Sequence, residues 1–251
     1  MKPSRQDSAT PDPAGNAPLP GVAGLRLEQA LQLLQQSGHA GPSGEVGSRD
    51  WLQSLVDGLV ELSSKDPLTG LANRRSFELA LSREVDRVAR NGESALLLAL
   101  DIDHFKRVND QHGHGAGDLV IRAVAQALQD SVRPMDLVAR VGGEEFAIIL
   151  PNCPPSFGPT VAERIRRRVE SRPVALGHGP QLAVTVSVGG AFAPQWVRST
   201  PALWIERSDR QLYLAKTQGR NLVRLEAAAV PNVSSDERRL LFDFLPTQDT
   251  E

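Results

Sequence analysis

Hydrophobic positions recur along this chain with two periods, and each change of period marks a new element. Leu27, Leu31 and Leu34 stand at helical spacing within Leu25 to Gln36, and a stretch rich in Gly, Pro and Ser, Ser37 to Ser48, interrupts them. From Arg49 toward Lys65, Leu52, Leu55, Leu59 and Leu62 fall three, four and three apart, as at the a and d positions of a coiled coil. That stripe either packs on the chain's own domain or forms a dimer stalk or a docking helix. Pro67 and Gly70 break the helix, and a new one starts near Arg74 and runs through Phe77, Leu81 and Val85. Ala95 to Leu100 is unbroken apolar sequence, the pattern of a central strand buried on both faces, and it ends in Asp101-Ile102-Asp103. Leu119, Ile121, Val124, Ala125 and Leu128 predict a helical stripe that Pro134 ends.

The period then drops to two. Leu137, Ala139 and Val141 alternate with other residues, as do Phe146, Ile148 and Leu150, which predicts two paired strands folded across Gly142-Gly143-Glu144-Glu145. Two glycines at that bend are expected to supply positive φ and to let a ligand approach the backbone. Val161 to Val169 reads as a basic helix with its arginines on a solvated face. Leu182 to Phe192 reads as another core strand, with Gly189-Gly190 marking a bulge or bend, and Trp196 and Trp204 read as packing residues. Alternating strand and helix signals make this an α/β chain.

With 251 residues, 40% of them hydrophobic and 23% charged, the chain sustains one substantial core and a small appendage. Residues 1–24 lack periodicity and read as a disordered leader, 25–65 as N-terminal helices, 66–226 as the main domain and 227–251 as a tail, where Leu240, Leu241, Phe244 and Leu245 would form an exposed docking patch. Lys and Arg number 28 against 30 Asp and Glu, a net charge of −2 without a basic run, which argues against a nucleic-acid partner. Cys153 is the only cysteine, which excludes an internal disulfide and a zinc cage. No apolar run has signal-peptide or membrane-spanning length, so the expected location is cytoplasmic.

Chemistry concentrates at two places. Asp101 and Asp103, two apart at a strand end, share a face, and their hard oxygens suit Mg²⁺ that keeps waters and takes phosphate oxygens as further ligands. The acids at the hairpin tip suit a phosphate held beside a metal ion. Five segments then resemble one family in order. DPLTGLANRR from Asp66 is similar to its domain-opening motif. DIDHFKRVNDQHGHGAGD from Asp101 matches D-x-D-x-F-K-x-x-N-D-x-x-G-H-x-x-G-D without a gap. Arg133-x-x-Asp136, GGEEF and DRQLYLAKTQGRN from Asp209 complete the set. The chain resembles the GGDEF family of diguanylate cyclases, in its GGEEF form.

That resemblance implies a fold like that of nucleotidyl cyclases and polymerase palms, a central sheet wrapped by helices. It implies condensation of two GTP into cyclic di-GMP in a homodimer whose two sites face each other. By the same resemblance Asp101, the carbonyl of Ile102, Glu144 and Glu145 bind Mg²⁺ or Mn²⁺, and Glu144, Glu145 and Lys106 are catalytic. Asn109 and Asp118 meet the guanine edge with His114 nearby, the Gly142-Gly143 backbone passes close to phosphate, and Lys216 and Arg220 converge on the triphosphate. Arg133 and Asp136, with Arg164 from the next helix, correspond to the site where relatives bind product as inhibitor. A regulatory protein at the N-terminal helices is a further expected partner. The alternative is a non-catalytic cyclic di-GMP receptor using Arg133 and Asp136, and a third reading is a scaffold that works only through its N-terminal helices.

Overall fold

The computed structural model describes residues 25–38, 40–176, 181–193 and 199–227. The expected leader, Trp196 and the apolar residues of the tail lie outside the described residues. The chain divides into two compact units, residues 1–70 and 71–251.

The first unit holds α1 (Glu28–Gln36) and α2 (Arg49–Ser64). The Ser48 hydroxyl accepts from the Trp51 N–H at 3.2 Å and so starts α2, supplying one of the four partners that a helix start lacks. Leu34, Trp51 and Leu55 are buried together, with Leu27, Leu31, Leu52, Leu59 and Leu62 packed around them, so the leucine stripe of α2 meets α1. Gly58 permits this: a Cβ there would lie 2.9 Å from a Leu34 methyl. Val56 and Val60, off that stripe, are exposed.

In the second unit the order is α3 (Arg74–Asn91), β1 (Ala95–Ile102), α4 (Phe105–His112), α5 (His114–Gln129), β2 (Leu137–Arg140), β3 (Glu145–Pro151), α6 (Gly158–Glu170), β4 (Val174–Ala175), β5 (Gln181–Leu182), β6 (Val186–Phe192), α7 (Pro201–Thr217) and β7 (Val223–Leu225). Five strands form a sheet in the order β2-β3-β1-β6-β7, antiparallel except for the β6/β7 pair. As its apolar run predicts, β1 is central and buried along its whole length. Phe77, Leu81, Val85 and Val88 of α3 and Trp204 of α7 pack with Leu97, Ala147, Ile149 and Ala191 on one face. The Trp204 indole N–H donates to the Ala191 carbonyl at 2.7 Å, so its one polar atom is satisfied inside the core. On the other face α6 meets the sheet at Gly158, where a Cβ would sit 2.5 Å from the Phe192 ring. The α/β architecture expected from the alternation of periods is therefore the one observed.

Several local expectations change. Leu119 is 39% exposed, and its neighbour Val120 is buried in the stripe of α5 instead. That helix ends at Gln129, ahead of Pro134, and the chain then turns through Ser131 before β2. The run from Leu182 is not one strand: β5 pairs with β4 in a separate two-stranded sheet, and only β6 joins the core. Gly189 and Gly190 mark no bulge, since β6 pairs with β1 in continuous register through both. Their role is close approach. A Cβ on Gly189 would lie 2.0 Å from the Leu212 backbone nitrogen, so α7 rests directly on the strand, and one on Gly190 would meet Leu225 and Leu98 at 2.6 Å.

Candidate active site

Register sets the site. Asp101 at the end of β1 pairs with Glu145 on one side and with Ser187 on the other, and the Ile102 N–H donates to the Glu144 carbonyl at 3.3 Å. The hairpin acids are thereby held against the strand that ends in Asp101-Ile102-Asp103. Between β2 and β3 the chain turns over Val141 to Glu144, with the Val141 and Gly142 N–H groups both donating to the Glu145 carbonyl, at 3.0 and 3.3 Å. Arg140 braces the tip, its guanidinium donating twice to the Gly143 carbonyl, at 3.1 and 2.8 Å. Neither Gly142 nor Gly143 has positive φ, contrary to expectation. Only Gly142 is closely approached: a Cβ there would lie 2.2 Å from a Glu145 carboxylate oxygen, whereas nothing lies within 4 Å of the corresponding position on Gly143.

Lys216, near the end of α7, reaches Asp101 with Nζ to Oδ2 at 2.7 Å. Burial pushes the Asp101 carboxyl up from its ordinary value; Lys216 opposes this, and the charges of Glu144 and Glu145 add to it. Two anionic hairpin residues beside a carboxylate whose charge is already disfavoured form a donor set that a divalent cation fits. Among the described residues no three His, Cys, Asp or Glu side chains gather into a cage. A cage is not required for a divalent cation that takes its remaining ligands from water and phosphate.

Asp103 behaves differently. It is 6% exposed and accepts from Thr185 Oγ1 at 2.7 Å, Ser187 Oγ at 2.6 Å and the Asn221 N–H at 2.9 Å. It lies in the turn just past β1, where the sequence placed it on the strand face of Asp101, and spends its charge internally. Arg220 lies beyond the end of α7, in a turn where Gly219, Arg220 and Asn221 all have positive φ.

Across the sheet edge, α4 and α5 meet at Gly113, whose φ of 80° suits the joint. Lys106, His114 and Asp118 are exposed, while Asn109 is half-buried with its Oδ1 shielded from solvent and without a hydrogen-bond partner. A Cβ on Gly117 would sit 2.0 Å from that oxygen, so the glycine of G-x-G-D makes space for the amide. An acceptor left open in this way is what a ligand N–H satisfies.

A second cluster lies between the end of α5 and α6. The Arg133 N–H donates to Asp136 Oδ2 at 2.8 Å, Arg164 donates to the Ser131 carbonyl at 2.9 Å, and Arg133, Asp136 and Arg164 line one pocket of about 280 Å³ with Cys153 and Phe157. Burial pushes the Asp136 carboxyl and the Cys153 thiol up. Arg166 corrects the expected solvated arginine face of α6: it is only 9% exposed, bound to Glu163, Glu170 and Asn221. Sequence reading missed Thr185, Ser187, Asn221 and Arg166. Only Asn221 offered a signal, as the last residue of a motif whose basic residues drew the attention.

The profile described as "Diguanylate cyclase, GGDEF domain" matches residues 63–222. The chain belongs to the GGDEF family. Among curated relatives, the response regulator PleD of Caulobacter vibrioides is 41% identical over 180 residues, 71% of this chain and 39% of PleD. This chain thus spans about two fifths of that relative's length. Among solved structures, the coiled coil and GGDEF domain of DgcB from Caulobacter crescentus, in complex with cyclic di-GMP, is similar with a TM-score of 0.66 at 37% identity, covering 70% of this chain and 92% of that one. Diguanylate cyclase SiaD from Pseudomonas aeruginosa, in complex with its activator SiaC, gives 0.65 at 35% identity over 80% of this chain and 72% of that one. These neighbours share the mixed sheet-and-helix architecture, so the fold expected from the resemblance is the GGDEF fold observed.

Proposed function

We propose that this chain is a diguanylate cyclase that condenses two GTP into cyclic di-GMP and two pyrophosphates, with two copies pairing so that their hairpins face each other. The observation that carries this is the register that sets Glu145 opposite Asp101 and the Glu144 carbonyl against the Ile102 N–H, with Lys216 ion-paired to Asp101 at that acidic end.

In each half-reaction a 3′-hydroxyl oxygen bonds to the α-phosphorus of the opposing GTP, the bond to the β-phosphate oxygen breaks, and pyrophosphate departs with that electron pair. Glu144 accepts the hydroxyl proton. Asp101, the Ile102 carbonyl and the hairpin carboxylates would hold Mg²⁺ or Mn²⁺, which would lower the hydroxyl pKa and neutralise developing phosphate charge. Lys106, Lys216 and Arg220 hold phosphate oxygens, and the Gly142-Gly143 backbone lets them come close. The open Asn109 Oδ1 accepts from guanine N–H, with Asp118 on the same edge and His114 at the rim. Glu145 lies against Gly142 and serves as a further cation ligand.

Arg133, Asp136 and Arg164 form the product-binding inhibitory site, where arginines fork onto phosphate and the aspartate accepts from guanine. The DgcB complex supports binding of cyclic di-GMP by this kind of domain. The two N-terminal helices receive a regulatory protein, as supported by the likeness to SiaD, which extends over 80% of this chain and is described with its activator.

The test is GTP turnover with Mg²⁺, products resolved by chromatography at several protein concentrations. Wild type forms cyclic di-GMP with specific activity rising with concentration, and Glu144→Ala loses about 100-fold or more. No product at any concentration, with cyclic di-GMP still bound, would replace this reading with a receptor.

A further inference from the structure

We propose that Arg166 is a positioning residue for the nucleotide site, acting through Asn221 on the turn that presents Arg220. The proposal rests on reading Arg220 as a phosphate-binding residue.

Within the run Arg166-Arg167-Arg168, the Arg167 side chain is 72% exposed while that of Arg166 is 11% exposed. A buried guanidinium persists where its donors find partners. Four hydrogen bonds supply them for Arg166: Nε and one terminal nitrogen donate to Glu163 at 3.0 and 2.8 Å, and the other donates to Glu170 at 2.8 Å and to Asn221 Oδ1 at 2.5 Å. Glu170 Oε1 in turn accepts from Asn221 Nδ2 at 2.7 Å. The asparagine amide is thus gripped at both ends from α6, which fixes its rotation as no plain salt bridge would.

The backbone explains why such a grip is needed. Arg220 and Asn221 both lie in the left-handed region, with φ of 60° and 48°. A side chain disfavours this region, for arginine more than for asparagine, and a consecutive pair persists only when its surroundings over-determine it. Three supports do so: the Arg220 N–H donates to the Ala215 carbonyl at 3.0 Å, the Asn221 N–H donates to Asp103 Oδ2 at 2.9 Å, and the Asn221 side chain is held by Arg166 and Glu170. The same turn follows Lys216, which reaches Asp101 at 2.7 Å. A residue on α6 therefore sets the conformation from which Arg220 leaves the backbone, beside the strand end that carries the acids.

The experiment titrates a non-hydrolysable GTP analogue with Mg²⁺ by calorimetry into wild type, Arg166→Ala, Asn221→Gly, their double variant and Arg220→Ala, with thermal midpoints and product formation measured alongside. Glycine keeps the left-handed turn and removes only the grip. Arg166→Ala and Asn221→Gly are each expected to weaken the analogue about tenfold, and the double variant no more than either alone, because both break one chain of contacts. Arg166→Lys does not restore affinity, since one ammonium cannot hold two carboxylates and an amide in that plane. Losses that add in the double variant, or affinity within about twofold of wild type with only the thermal midpoint lowered, overturn the proposal. Should Arg166→Ala not fold, Asn221→Gly at its half-buried turn decides alone by the same twofold limit. Weakening by Arg220→Ala without weakening by Asn221→Gly overturns the positioning role and leaves the phosphate role of Arg220 standing. No weakening by Arg220→Ala removes both. The cyclase reading is judged separately, by product formation in wild type.

Discussion

Asp101 stands at the end of strand β1 and Asp103 opens the turn two residues on, yet they are built for opposite purposes. Asp103 accepts from a threonine, a serine and a backbone N–H, all drawn from β6, its approach and the turn after α7. Its charge is consumed in joining those segments. Asp101 meets one lysine and two further acids, and burial with those acids pushes its carboxyl up. Charge that the fold leaves uncompensated marks where a ligand works, and charge that the fold consumes marks scaffold.

Exchanging carboxylate for a neutral group at each position breaks or sharpens this comparison most directly. Asp103→Ala leaves three donors without their acceptor, one buried and two half-buried, and we expect a loss of about 3 kcal/mol in unfolding free energy, read from urea midpoints. Asp101→Asn removes a charge that the folded state disfavours. Unfolding stability without added metal is expected to stay level or rise, while GTP turnover is lost. Equal destabilisation by the two substitutions would erase the distinction.

The pocket around Arg133 extends the contrast to a weaker effect. Asp136 resembles Asp101 in that burial pushes its carboxyl up, and it receives a hydrogen bond from the Arg133 N–H. The surplus again points outward, into a pocket shared with Arg164. Arg133→Ala is expected to raise the cyclic di-GMP concentration needed to inhibit turnover about tenfold, one bidentate phosphate contact's worth. Initial rates with added product measure it. Unchanged inhibition would reduce the pair to a turn that closes on itself.

How much of this was legible beforehand follows from the range of the forces involved. Period alone gave β1, the paired strands around GGEEF and the core stripe of α3, because each reflects burial of a whole element and tolerates a one-residue error. The same logic misjudged Leu119 for Val120, a shift of one position on a helix whose apolar residues outnumber one stripe. Gly189 was misread because a bulge and a close approach ask for the same residue, and only the presence of the α7 backbone 2.0 Å from the missing Cβ tells them apart. In the site, the acids and basic residues stood out by type and spacing. Arg166 did not, because an arginine inside a basic run looks solvated until Asn221, 55 residues later, folds against it. Contacts at such separation leave no periodic trace.

The smallest effect tests the scaffold side of the comparison in acid. Hydrogen bonding from Arg166 first, and then from Arg167, holds the Glu163 carboxyl down from 4.5 to about 2. A carboxyl depressed in the folded state contributes stability that is complete above its unfolded value and is lost as pH falls, here from 4.5 through about 2. Asp101 has the opposite sign, since its raised carboxyl binds its proton more readily in the folded state. Glu163 is 35% exposed, so solvent screening keeps its share below about 1 kcal/mol. Glu163→Gln should therefore be slightly less stable near neutral pH and lose less on acidification, so that its urea midpoint converges with that of wild type near pH 2. Parallel pH profiles for the two proteins would show that the charge on Glu163 belongs to the solvent, and that Arg166 is held in place by Glu170 and Asn221 alone.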